Sequence, residues 1–149
     1  MAKQQQYHLL SGYIASIYRQ SKAEFKKQTP MPGLSGTQSD IVMFLYDHPG
    51  LCQGQIADMM AVNPSLMARD VKALLDAELI HRQDNPADRR AKVIGLTPKG
   101  VSLAKKQISE LNAWWSAFFE DEPGVNPQEL YQELVSVNHR LLEQNRPKL

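Results

Sequence analysis

Residues Asn63 to Gly100 read NPSLMARDVKALLDAELIHRQDNPADRRAKVIGLTPKG. Asn63 is a strong helix-capping residue, and Pro64 suits a first helical turn. The pair starts a helix that should run to about Ala77. Thr97-Pro98 repeats the signal at the far end of the stretch and should start a long helix reaching about Phe119. Between the two lie short apolar runs, 79–83 and 92–96. They read as antiparallel strands with a long polar connection. Arg89 and Arg90 stand at the tip of that connection, flanked by Asp84 and Asp88.

Working outward, residues 53–61 form a short helix with Ile56, Ala57 and Met60 on one side. Residues 36–48 form another, with Ile41, Val42, Leu45 and Tyr46 facing inward, and His48-Pro49-Gly50 stops it. Residues 7–28 carry Leu10, Ile14, Ile17, Tyr18, Ser21 and Phe25 at helical spacing, and TPMPGLSG breaks the chain after them. Downstream, Ala104, Ile108, Leu111, Trp115 and Phe118 make the apolar stripe of the helix begun at Thr97. EDEPGVNP interrupts it, and a last helix over about 127–144 shows Leu130, Leu134, Val137 and Leu141. Two short helices joined by a turn and followed by a hairpin make a winged helix-turn-helix. The second helix of such a pair is the one that enters a DNA major groove.

Helical geometry divides 64–77 into two faces. At about 100° per residue, Ser65, Ala68, Arg69, Lys72 and Asp76 cluster, while Met67, Val71 and Leu74 lie opposite. One face packs; the other offers a hydroxyl, a methyl and two cations. Ala68 is small enough to let a helix approach base edges, and an arginine can fork onto guanine acceptors. Arginine also suits narrow minor grooves, whose potential is strongly negative. Asp88 could hold a guanidinium extended and so reduce the ordering cost of binding. The same face also fits an ordinary solvated helix, and the hairpin a polar turn with a local salt bridge. A winged helix that serves only as a protein-interaction module is the competing class. It would favour an apolar or acidic exposed face, which Ser65, Arg69 and Lys72 do not make.

A chain of 149 residues with net charge +1 is one domain, or one core with helical extensions, and is not a general nucleic-acid coat. The charge is uneven. Residues 63–100 carry +2 and residues 101–149 carry −2. No apolar run approaches bilayer length, and the N-terminus lacks the apolar core of a signal peptide. The single cysteine, Cys52, excludes an internal disulfide and fits a reducing cytoplasm. The histidines His8, His48, His81 and His139 show no metal-ligand spacing, and no cofactor is expected. No phosphate loop, nucleophilic triad or paired-carboxylate motif is visible, so no enzymatic activity is expected. Glu120-Asp121-Glu122 reads as a solvated turn. Trp114, Trp115, Phe118 and Phe119 cannot all face one core from a single helix, so the terminal helices should find a partner.

The run QIADMMAVNPSLMARDVKALLDAELIHRQDNPADRRAKVIGLTPKG, Gln55 to Gly100, resembles the MarR family of bacterial transcription regulators. DNPADRR…LTPKG is its most distinctive part. The flanking helices match in order and length, without a sharp motif. The resemblance implies a mainly α fold with a small β-hairpin wing. Residues 1–34 and 101–149 would form dimerisation helices around a winged helix-turn-helix over 35–100. It implies a homodimer on a pseudo-palindromic double-stranded operator, as a DNA-binding regulator and a repressor in type. Ser65, Ala68, Arg69 and Lys72 then fall on the recognition helix. Asp88 and Arg90 fall on the D-x-R pair of the wing tip beside Arg89, with the arginine in the minor groove. Family members often bind small aromatic or lipophilic anions between the dimerisation helices and the winged core. Tyr13, Ile17, Tyr46 and Trp115 are the candidates here, chosen as apolar or aromatic residues on the relevant helices, with core packing the favoured alternative for each. Some members sense oxidants through a cysteine in the first helix, where this chain has none, so Cys52 is expected to be a buried or merely incidental thiol. Two departures stand out. Glu78 replaces a glycine frequent after the recognition helix, which implies strain if its φ is positive. Gly95 inside the second wing strand is expected to mark a bulge.

Overall fold

Side-chain capping starts four of the six helices in the computed structural model of the chain, which describes residues 5–28 and 34–146. A turn of 3-10 helix, Tyr7–Leu9, leads into α1 (Leu10–Gln28). Then come α2 (Gly36–Asp47), β1 (Leu51–Cys52), α3 (Gln53–Met60) and α4 (Pro64–Asp76). The hairpin is β2 (Ile80–Asn85) and β3 (Asp88–Leu96), followed by α5 (Pro98–Asp121) and α6 (Pro127–Gln144). The break foreseen at TPMPGLSG falls, over 29–33, outside the described residues.

Asn63 accepts the Ser65 N–H at 2.8 Å, and Pro64 follows it, as the sequence requires. Thr97 accepts the Gly100 N–H at 3.1 Å and starts α5. Ser35 caps α2 in a reciprocal box: its hydroxyl accepts from the Gln38 N–H and the Gln38 side chain accepts from the Ser35 N–H. Asn126 caps α6 one way only, its side chain accepting from the Gln128 and Glu129 N–H groups.

One core joins the middle elements. Ile41, Val42 and Leu45 of α2 pack with Ile56 and Ala57 of α3 and Met67, Val71 and Leu74 of α4. Leu79, Ile80, Ile94 and Ala104 complete it. Each large aliphatic side chain buried this way contributes about 1.5–3 kcal/mol.

The sheet differs from its expected form. It has three strands in the order β1-β3-β2, all antiparallel. The two-residue strand β1, absent from the sequence reading, pairs Leu51 with Ile94 and Cys52 with Val93. The hairpin strands are longer than foreseen and the connection is short. Asn85 pairs with Asp88 across Pro86-Ala87, and the Asn85 side chain accepts the Ala87 N–H at 3.0 Å. Gly95 does not mark a bulge. The register shifts between Gln83 and Asn85 instead. Gly95 lies opposite His81, and a Cβ there would sit 2.8 Å from the imidazole, so the missing side chain makes room for that ring. Glu78 does carry φ 59, and Ala61 in the α3–α4 turn carries φ 54. Both sit in the left-handed region, where a side chain is costly.

Several apolar stripe residues are exposed in the single chain. Leu10, Ile14, Ile17 and Tyr18 of α1 are exposed, while Ser21 and Phe25 are buried. Tyr46, expected on the inner face of α2, lies at its outer edge, and Phe118 of α5 is exposed too. α6 buries none of its residues.

Candidate nucleic-acid interface

The two faces of α4 separate sharply. Met67, Asp70, Val71 and Leu74 are buried, and Ser65, Ala68, Arg69 and Lys72 are exposed. The left-handed turn at Ala61 sets α3 against α4: its N–H reaches back to the Ala57 and Asp58 carbonyls. Val62 then bonds the Ala57 carbonyl at 2.9 Å, and the chain enters the Asn63 cap. The expected reading face is therefore a continuous exposed strip of one helix. Its cations are not free charges. Lys72 Nζ lies 3.0 Å from Asp76 Oδ2 in an i,i+4 pair, and Arg69 Nη2 lies 3.6 Å from Asp70 Oδ1. Both cationic side chains are more than two-thirds exposed, so these pairs add little to stability.

Asp70 was not singled out from the sequence, yet it is the buried charge of this helix, with no exposed surface. Its Oδ1 accepts from Gln38 Nε2 at 3.1 Å, and its Oδ2 has no hydrogen-bond partner. The signal was present: Met67, Asp70, Val71 and Leu74 stand at i, i+3, i+4 and i+7, so an acid occupies a core position.

On the wing, Arg89 and Arg90 lie in the first residues of β3 rather than on a loop tip, both exposed. Asp88 does not hold a guanidinium. Its Oδ1 accepts the backbone N–H of Arg90 at 2.9 Å, which fixes the chain direction instead. Among the described residues no carboxylate pairs with either arginine; the ion pair near the tip is Lys92–Asp84 at 2.5 Å. Arg82 of β2, also not foreseen, donates to Gln53 Oε1 at 3.1 Å and so links the wing to the start of α3. No local pattern marks that pair, because it spans 29 residues and exists only once the hairpin has folded against α3.

None of the four sequence candidates for a ligand pocket lines the cavity between α1 and α2 or the groove beside α6. Tyr13, Ile17 and Tyr46 are exposed and Trp115 is half-buried. A cavity of about 200 Å³ lies elsewhere, between α1 and α2, lined by Lys22, Phe25, Lys26, Leu34, Gly36 and Ser39 among others. A wider groove of about 610 Å³ runs between the α3–α4 turn and the end of α6. Cys52 is partly buried at the start of α3, and its N–H donates to the Gln55 side chain at 3.0 Å. Among the described residues no helix is long and apolar enough to cross a membrane, and no group of three His, Cys, Asp or Glu side chains could hold a metal.

A helix pair whose second member exposes a polar, cationic strip, followed by a hairpin that pairs with a short strand ahead of the helices, defines a winged helix-turn-helix protein. The chain belongs to the MarR family, whose sequence profile matches residues 34–92. It is 32% identical over 101 residues to the putative transcriptional regulatory protein for the hcr operon of Thauera aromatica, covering 68% of this chain and 58% of that one. It is 30% identical over 105 residues to the HTH-type transcriptional repressor NicR of Pseudomonas putida, covering 66% of each. These matches thus span less than two-thirds of both relatives. Its fold follows that of S. aureus MepR in a DNA complex, with a TM-score of 0.68 at 19% identity over 96% of this chain and all of the other.

Proposed function

We propose that this protein is a homodimeric, sequence-specific DNA-binding transcriptional regulator of the cytoplasm that represses by occupying its operator. In this reading residues 1–34 and 101–149 form the dimer scaffold around a winged helix-turn-helix over 35–100. Ser65, Ala68, Arg69 and Lys72 face the major groove, and Arg90, oriented by Asp88 and assisted by Arg89, enters the adjacent minor groove. The observation that carries it is the division of α4. Three apolar side chains and Asp70 are buried on one face, and a hydroxyl, a methyl and two cations are presented on the other. The naming of one relative as a repressor supports the sign of regulation.

The effector in this reading is a small aromatic or lipophilic anion held between the dimerisation helices and the winged core. The cavity between α1 and α2 has the right chemistry, with Phe25 and Leu34 beside Lys22 and Lys26. A space of this order accepts a single aromatic ring. Tyr13, Ile17, Tyr46 and Trp115 would then act only as outer walls, completed by the second subunit.

The test is fluorescence-anisotropy titration of DNA from upstream of the protein's own gene at fixed salt, with a scrambled duplex as competitor. Specific binding lost in Arg69→Ala, with an unchanged melting temperature, is the expected outcome. Equal affinity for the two duplexes would exclude the reading.

A further inference from the structure

Three consecutive side chains of α2 reach three different helices. Gln38 Nε2 donates to Asp70 of α4 at 3.1 Å. Ser39, itself buried, accepts from Gln107 Nε2 of α5 at 2.8 Å. Asp40 accepts from the Tyr18 hydroxyl of α1 at 2.5 Å and pairs with Lys22 of the same helix. We propose that this first turn of α2 is a positioning hub, which couples the orientation of the recognition helix to that of α1 and α5 through directional polar tethers. The proposal rests on the DNA-binding reading only for its consequence; the coupling itself is a property of the free protein.

Stability alone does not account for these groups. A buried carboxylate with one unpartnered oxygen is costly, and a well-packed apolar residue at position 70 would be cheaper. What Asp70 adds is direction, because a hydrogen bond fixes the angle between two helices where apolar packing tolerates sliding. Gln38 is bound at both ends of its amide: Oε1 accepts the Ser35 N–H of the cap at 3.2 Å while Nε2 holds Asp70. It cannot swing to follow α4 without opening the start of α2. Gln107 and Ser39 sit in the buried middle of the α2–α5 contact, so a tilt of α5 is felt at the neighbouring residue, Gln38. Tyr18 and Lys22 lie on the same helix as the exposed apolar residues Tyr13, Ile14 and Ile17. Whatever presses on that helix therefore presses on Asp40. The cavity between α1 and α2 is lined by both Lys22 and Ser39, so an occupant would touch two of the three tethers.

The test is amide hydrogen exchange on the full-length protein without DNA, for Asp40→Ala, Gln107→Met and Gln38→Met. None of these substitutions lies on α4. Each is expected to speed exchange at α4 amides 68–76 by roughly fivefold or more, while the hairpin amides stay within about twofold. Lys27→Ala, which removes the exposed Lys27–Glu24 pair of α1, is expected to leave α4 unchanged. Asp70→Asn, which keeps an acceptor for Gln38, should behave like the parent, whereas Asp70→Leu should not. Unchanged α4 exchange in Asp40→Ala and Gln107→Met would overturn the hub. So would a uniform rise across every helix, which reports global destabilisation. A protein that failed to bind any operator would still give a clear answer here, so the two readings fail separately.

Discussion

Arg90 and Glu78 are residues at which side chain and backbone decide different properties. Arg90 is exposed and among the described residues has no ion-pair partner, and Asp88 holds its backbone at 2.9 Å. Its loss removes no packing. Arg90→Ala should weaken operator binding by about 1–3 kcal/mol, the range of a specific base or groove contact. The melting temperature should stay within about a degree, as for most exposed substitutions. Anisotropy at constant salt together with a thermal melt checks both halves, and unchanged affinity would remove the wing from the interface. Glu78 has the opposite character. At φ 59 its side chain meets the left-handed penalty of about 1–2 kcal/mol, whereas glycine there costs only backbone entropy of about 0.5–1 kcal/mol. Glu78→Gly should raise the melting temperature by roughly 2–4 °C and leave DNA affinity unchanged. A fall on melting would mean that the strain is relieved by contacts of the glutamate. The strain at Glu78 was legible through the family resemblance, which sets a glycine where this chain has a glutamate. The space beneath Gly95 was not, because only the pairing with His81 gives that glycine its reason.

At the scale of elements, the junction of α4, β2 and α5 shows how the LTPKG run works. The Thr97 hydroxyl donates to the Glu78 carbonyl at 2.7 Å, Lys99 Nζ donates to the Ala77 carbonyl at 3.0 Å, and Thr97 N–H donates to the Leu79 carbonyl at 3.1 Å. The end of α4 is thus satisfied by the start of α5. So close an approach needs Gly100, since a Cβ there would fall 2.0 Å from the Leu79 oxygen. That atom is backbone and cannot rotate away. Gly100→Ala should therefore destabilise by at least about 1–3 kcal/mol, the usual cost of overpacking, seen as a lowered denaturation midpoint. An unaffected midpoint would show that the junction yields easily. The starts of α4 and α5 were legible because a cap is local: Asn63 and Thr97 each meet a donor two or three residues ahead. The strand Leu51–Cys52 was not, because two residues carry no alternation and its pairing partner lies some forty residues on. Arg82 with Gln53 and Asp70 with Gln38 escaped for the same reason, as their partners are remote in sequence.

The whole molecule exposes an apolar surface that a lone chain leaves uncovered. On α6, Leu130, Tyr131, Leu134, Val137 and Leu141 recur at helical spacing and are all exposed, and on α1 so are Leu10, Tyr13, Ile14 and Ile17. Near the end of α5, Trp115 stacks on Phe119 at 5.5 Å and meets Phe118 edge-on at 5.7 Å, yet Phe118 remains exposed. A surface of this extent marks an interaction site, and an isologous contact between two copies would cover α1 and α6 of each at once. Leu134→Glu places a charge in the middle of the α6 stripe without touching the core, since α6 buries nothing within the chain. The substituted protein should stay folded by circular dichroism and sediment as a monomer. Its effect on DNA follows from counterion release. Affinity falls with salt in proportion to the phosphates neutralised, and a dimer neutralises those of two half-sites. The parent should therefore show a log–log salt slope roughly twice that of Leu134→Glu, with a large loss of operator affinity in the variant at any one salt concentration. Equal slopes with intact affinity would mean that a single subunit makes the whole interface, and a parent that sediments as a monomer would leave the exposed stripe for some other partner to cover.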